Sequence, residues 1–175
     1  MRPRAHRAMW ANMRRLFDRH GASNVLMLMD YSGKIGHGAN GTADLIKPLW
    51  PGDHLVDFLF FNLFNFQGAG NYLRVANNSY SALEALSGPG YNFTGRPWGL
   101  GAFGTTNLTK NPTKNRPRWL TDAQTGIDSK RFPRLRAYVY FDSISSEIAD
   151  YMMPAYESYL GDPFFVVNDQ IPHKN

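Results

Sequence analysis

Of the fourteen carboxylates in this 175-residue chain, only three are glutamates: Glu84, Glu147 and Glu157. Two carboxylates facing one bond can act as acid, base or nucleophile, but these three fall on stretches that read as helices. There is no cysteine, which excludes a disulfide framework, a cysteine-ligated zinc site and a thiol nucleophile. The five histidines, His6, His20, His37, His54 and His173, show neither HExxH nor any paired spacing, so no metal site is expected. His37, in GKIGHGANGT, could touch a ligand, although a histidine in such a loop is more often simply exposed. Neither GxGxxG nor GxxxxGK[ST] follows a strand-like run, so both common nucleotide signatures are missing and no cofactor is expected.

Charge gives a second set of candidates. The chain holds 19 Lys+Arg against 14 Asp+Glu, a formal charge of +5. Arg2, Arg4, Arg7, Arg14, Arg15 and Arg19 crowd the first helical stretch. That pattern can be a nucleic-acid-binding face or an amphipathic transit peptide. The stretch runs straight into a strand with no cleavage-like break, and its arginines are not interleaved with exposed aromatics. A solvated outer helix face is the expectation. The longest apolar stretch, Leu55 to Phe66, is interrupted by Asp57, Asn62 and Asn65 and is too short for a transmembrane helix. Four N-x-S/T acceptor patterns, at Asn40, Asn77, Asn92 and Asn107, are expected by chance in an asparagine-rich chain.

These residues must be positioned by elements that alternate along the chain. Apolar residues at Met9, Trp10, Met13, Leu16 and Phe17 predict a helix from Pro3 to His20, stopped by Gly21. Asn24 to Asp30 (NVLMLMD) reads as a buried strand, Thr42 to Trp50 as a short helix, and Leu55 to Phe64 as a second strand. A glycine-rich loop, Gln67 to Gly70, leads to a helix over Asn77 to Leu86 with asparagine and serine capping signals. Trp98 to Phe103 reads as the third strand, residues 104 to 118 as a basic, proline-punctuated loop, and Trp119 to Phe132 as a helix capped by Thr121 or Asp122. Leu135 to Phe141 reads as the fourth strand and Ser145 to Leu160 as the last helix. Continuous apolar strands separated by helices predict an α/β fold with a parallel sheet. About four βα units would fill residues 1–163 as one partial barrel domain, leaving 164–175 as a tail; a free-standing four-strand sheet is the competing architecture.

In order, the chain presents a helix containing Trp10, then GASNVLMLMD, LWPGDHLVDFLFFN, RPWGLGAFGTTN, FPRLRAYVYFDS, and a final helix ending in DPFF. That series resembles the C-terminal half of the β-mannanase-like glycoside hydrolases of family 26. The resemblance covers nearly the whole chain. It implies the last four βα units of a TIM barrel, with a substrate groove at the C-terminal ends of the strands. It further implies the retaining scheme, in which two carboxylates about 5 Å apart serve as acid/base and nucleophile. The acid/base glutamate would lie in a segment preceding everything present in this sequence. The nucleophile would lie in a G-E-F-G-like turn, where this chain has Gly101-Ala102-Phe103-Gly104. Alanine has no oxygen to attack an anomeric carbon, so no catalytic residue is placed. Ala102 is compatible with an engineered knock-out, a degenerate non-catalytic relative, or a misalignment.

The resemblance also suggests groove residues at strand ends. Asp30, Asn62, Asn65 and Asp142 would hydrogen-bond a sugar, and Tyr31 and Trp98 would offer aromatic faces to it. Each has a plainer reading: Trp98 as core at a strand start, Asp30 and Asp142 as helix caps or loop acceptors. Phe60, Phe61 and Phe66 read as packing. The expected function is a glycoside-hydrolase-like domain acting on or binding β-linked polysaccharide of the mannan type, impaired in catalysis. The alternatives are a non-catalytic carbohydrate-binding module and, third, a basic nucleic-acid-binding protein. Expected partners are a polysaccharide or oligosaccharide and either the missing N-terminal half barrel or a second copy, because a half barrel leaves two sheet edges unpaired. No membrane partner is expected, and an extracellular location follows from the resemblance alone.

Overall fold

Apolar runs bounded by helices form a single sheet in the computed structural model, which describes residues 2–31, 43–65, 71–108, 111–143 and 145–165. The strands are β1 (Leu28–Tyr31), β2 (Phe58–Asn65), β3 (Trp98–Thr105) and β4 (Leu135–Tyr140). Their order in the sheet is β1-β2-β3-β4, with β1 parallel to β2 and β3 parallel to β4. The helices are α1 (Pro3–Arg19), α2 (Ala43–Leu49), α3 (Tyr72–Leu86), α4 (Pro112–Asp128) and α5 (Met153–Leu160), the last preceded by a 3-10 turn, Asp150–Met152. Sequential parallel strands need helical crossovers, and the chain supplies one between each pair: four parallel strands alternate with helices, as the sequence predicts.

The chain divides into two compact units. The first comprises Met1–Phe64, Arg74–Gly104 and Arg134–Phe141 and carries nearly all of the sheet. Its core is one sheet face. Met29 and Tyr31 of β1, Leu59, Phe61 and Leu63 of β2, and Trp98 and Leu100 of β3 are all buried. Trp98 stacks on Phe61 with ring centroids 4.9 Å apart. The alternation in β2 is strict, so Phe58, Phe60, Asn62 and Phe64 occupy the opposite face and are half-buried. On β1, Leu28 is 45% exposed, and on β4 Val139 is 50% exposed. A parallel sheet ordinarily has both faces covered. Here one face is open among the described residues.

The second unit comprises Asn65–Leu73, Thr105–Pro133 and Asp142–Asn175. Tyr72 meets Trp119 edge-on at 5.3 Å. Gly126 permits that packing, since a Cβ there would lie 3.1 Å from Leu73 Cδ2. Arg116 is fully buried: its Nε donates to the Thr105 carbonyl at 3.2 Å, one terminal nitrogen to the Tyr151 hydroxyl at 2.9 Å, and the other to the Glu147 carbonyl.

Three expectations are corrected. Residues 112–118 belong to α4, not to a loop. Pro112 takes the first helical position, where its missing N–H costs nothing, and Thr121 and Asp122 are interior residues rather than caps. The side chain of Thr121 donates back to the Pro117 carbonyl at 3.3 Å, and Asp122 accepts from Asn71 Nδ2 at 2.9 Å. Helix α3 starts at Tyr72, so Asn77 is internal. The last helix is α5 with its 3-10 lead-in, because Pro154 is compatible only with a first turn; Glu147 therefore lies in an irregular segment. The glycine-rich loop Gln67–Gly70, Phe66, His37, Asn40, Thr42, Thr109 and residues 166–175 of the tail lie outside the described residues.

Candidate functional site

The WPGD segment shapes the rim below the sheet. Gly52 has φ +126, a conformation that L side chains rarely adopt. The turn delivers Asp53, whose Oδ1 accepts from Trp50 Nε1 at 3.1 Å, Asn92 N–H at 2.9 Å and Arg96 at 3.0 Å. The Arg96 guanidinium lies 4.9 Å from the Trp50 ring centroid. Asp57, four residues on, accepts from the Met27 N–H at 2.8 Å and pairs with Arg14. Both aspartates thus bind segments distant in sequence and set the entry of β1, β2 and β3 into the sheet.

On the open face, three strands bring small and polar groups together. Asp30 at the end of β1 hydrogen-bonds the side chain of Asn62 on β2. Gly101 of β3 faces both. A Cβ at Gly101 would lie 3.0 Å from Asp30 Oδ2, 3.0 Å from Phe60 Cδ2 and 3.2 Å from Asn62 Oδ1. A carboxylate, an amide and an aromatic edge therefore close over the glycine, and a larger residue there would have to push them aside. Asn62 Oδ1 is buried and has no hydrogen-bond partner, so the amide donates to Asp30 and retains an unused acceptor. Burial by the surrounding groups holds the Asp30 carboxyl above the usual aspartate value, against the lowering effect of the Asn62 and Tyr31 N–H hydrogen bonds.

The bulge beside this cluster decides where Ala102 points. Leu100 pairs with Tyr138, but the next pair is Phe103 with Tyr140. One extra β3 residue is accommodated, and Gly101 and Ala102 occupy the irregularity. Bulges re-aim side chains and are common next to active sites. Ala102 is half-buried there and offers no ionisable or hydrogen-bonding group.

The other residues singled out in the sequence are placed differently. Tyr31 is buried on the helix-facing side of β1, and its hydroxyl donates to the Ile46 carbonyl at 3.4 Å; burial raises its pKa well above that of a free tyrosine. Trp98 is 1% exposed. Strand alternation explains both, since each falls on the same parity as Leu59 and Phe61 and so cannot reach the open face. Asn65 follows that parity too and is buried, its carbonyl accepting from the Thr106 N–H at 3.4 Å. Asp142, in the second unit, is exposed two residues beyond β4. Of the six, only Asp30 and Asn62 come together. Gly101 and Phe60 join them, and the sequence signal for Gly101 was the alternation of glycines in WGLGAFG. No group of three metal-ligating side chains occurs among the described residues, and no described helix is long and apolar enough to cross a membrane.

Solved structures give the comparison. A modular endo-β-1,4-mannanase from Cellulomonas fimi, described with the family 26 glycoside hydrolases, matches 90% of this chain with a TM-score of 0.59 and 20% identity. The fold is that of part of a glycoside-hydrolase barrel. A double mutant of a C. fimi endo-β-1,4-mannanase matches 86% of the chain with a TM-score of 0.57 and 18% identity. An engineered protein with a crystal structure at 1.98 Å matches 97%, with a TM-score of 0.63 and 19% identity. The chain spans 35%, 33% and 37% of those three structures respectively, so about a third of each corresponds to this partial barrel. No protein-family model and no curated protein matches the sequence.

Proposed function

We propose that this partial barrel binds β-linked polysaccharide of the mannan type on its open strand face and does not hydrolyse it unaided. The observation that carries the reading is the Asp30–Asn62 pair beside Gly101. A carboxylate, an amide and an aromatic edge converge over Gly101 on the open face, near the end of β1 and midway along β2 and β3. Those groups suit the hydroxyls and CH faces of a sugar. A retaining hydrolase needs two carboxylates on one bond. Ala102 removes the one that the resemblance would place there, and the resemblance puts the other outside this sequence.

The nucleic-acid reading has less support. Arg7 donates to the Pro48 carbonyl at 2.7 Å and Arg14 is held by Asp57, so two of the six α1 arginines serve the fold. Titration calorimetry with β-1,4-mannohexaose tests the proposal, with a DNA duplex as the comparison ligand. Binding of the sugar in the millimolar range, weakened about tenfold by Asn62→Ala, is expected. Absence of binding at about 10 mM sugar, or an unchanged affinity in Asn62→Ala, would overturn it.

A further inference from the structure

The net charge of the chain is confined to one helix. Residues 1–20 hold six arginines and one aspartate, which is the whole formal charge of +5. Residues 21–175 therefore balance to zero. Packing occupies one side of α1: His6 Nδ1 donates to the Leu49 carbonyl at 2.9 Å, Arg7 donates to the Pro48 carbonyl at 2.7 Å, Trp10 is buried, and Arg14 pairs with Asp57. At about 3.6 residues per turn, the side opposite Trp10 carries Arg4, Ala8, Arg15 and Arg19, with Ala11 and Asn12 between them. All six are exposed. Arg15 donates to Asn12 Oδ1 at 2.7 Å, which lays its guanidinium along this face. Arg2 lies just before the helix and is exposed as well. None of Arg2, Arg4, Arg15 and Arg19 forms an ion pair among the described residues. The sugar-binding reading uses none of them.

We propose that this face of α1 binds an acidic polysaccharide, a linear polymer whose sugar rings carry uronic-acid carboxylates. Charge selects an anion, and a guanidinium takes a carboxylate through two parallel N–H bonds. The composition of the face narrows the choice. Alanine and asparagine separate the arginines, so there is no aromatic or large apolar anchor for a protein partner. There is equally no ring on which an unpaired base could stack. Spacing separates the remaining polyanions. About 16 Å lies between Arg4 and Arg15 along the helix axis, and about 6 Å between Arg15 and Arg19. A nucleic-acid duplex crowds one charge into about every 1.7 Å. A polyuronate carries at most one charge per ring, a sparser array closer to that of α1. The choice of a polysaccharide also rests on the sugar-binding reading, which already gives the chain a polysaccharide to hold.

The test titrates the full chain with polygalacturonate, and with β-1,4-mannohexaose and a DNA duplex in separate arms. The two readings fail separately, since mannohexaose is uncharged and reports on the strand face that bears Asp30 and Asn62. At about 0.05 M salt, polygalacturonate is expected to bind with a dissociation constant of about 100 μM or below. Raising the salt to about 0.5 M should weaken it at least about tenfold. Arg15→Glu combined with Arg19→Glu should do the same, with the melting temperature and the mannohexaose titration unchanged, because both side chains are exposed. Arg118→Glu alters an exposed arginine on α4 and should change the affinity by less than about twofold. Absence of binding at about 0.05 M salt, an unchanged affinity in the double variant, or an equal loss in Arg118→Glu would each overturn the proposal. So would tighter binding of the duplex at equal charge concentration.

Discussion

Asp30 lies at the centre of the chemistry available to this chain. Its carboxyl is held above the ordinary value chiefly by burial, so the folded protein binds a proton there more tightly than the unfolded chain does. The stability linked to that proton is complete below the unfolded value of about 4 and is lost as pH rises through the raised folded value. Asp30→Asn keeps the hydrogen bond from Asn62 and removes a partly desolvated charge. It is expected to melt higher than the parent at pH 7 and to converge with it near pH 3, which thermal unfolding across pH will show. The glycines beside it differ in tolerance. A Cβ at Gly99 would lie 2.7 Å from the Ala137 carbonyl oxygen and 2.6 Å from Phe60 Cε1. Backbone cannot move aside cheaply, so Gly99→Ala should destabilise by about 1–3 kcal/mol in urea unfolding. At Gly101 the neighbours are side chains, and Gly101→Ala should cost less stability while displacing Asp30 and Asn62 and lowering sugar affinity.

Among the elements, α4 shows most plainly how tertiary contacts override local signals. Two prolines and a run of basic residues read as a loop, yet the helix begins at Pro112. Its Arg116 ties three acceptors from β3, the segment before the 3-10 turn, and Tyr151. Removing the guanidinium strands the buried Thr105 carbonyl and frees the Glu147 carbonyl and the Tyr151 hydroxyl from their shared donor. Arg116→Met is expected to destabilise the second unit by about 2–4 kcal/mol, and Arg116→Lys nearly as much, since an ammonium cannot span the same fork. Unfolding followed by Trp119 fluorescence measures both. The aromatic candidates were misplaced for a related reason. Tyr31 and Trp98 sit at the ends of apolar runs, and in a run without polar alternation the sequence does not say which face each residue takes.

At the scale of the molecule, the decisive feature is an open sheet face bearing exposed Leu28 and Val139 beside half-buried phenylalanines. In a closed barrel such side chains fill the interior. The absence of a carboxylate at Ala102 has a consequence at this scale as well. Restoring one by Ala102→Glu supplies half of a two-carboxylate mechanism, so the variant alone should still show no turnover of mannan or of an aryl β-mannoside in a reducing-sugar or chromogenic assay. Turnover by the unmodified chain, lost on mutation of Asp30 or Asp142, would refute the view that it is silent.

The sequence determined much by itself. Strand-length apolar runs separated by amphipathic helices dictate parallel βα repeats, because only crossover helices can join such strands. Four units in this length point to part of a barrel, and the scarcity of glutamate, with Ala102 in the GAFG turn, was visible without coordinates. Only the tertiary structure decided which candidates meet. Residue parity along β2 puts Asn62 on the open face and Asn65 in the core. The bulge at Gly101-Ala102 is a pairing between strands distant in sequence. Asp30, Asn62 and Gly101 meet although they come from three different strands, whose register is set by contacts such as Arg14–Asp57 and Arg96–Asp53. Periodicity is local and can be read along the chain; register is fixed by partners elsewhere in it, and the chemistry of this face depends on register.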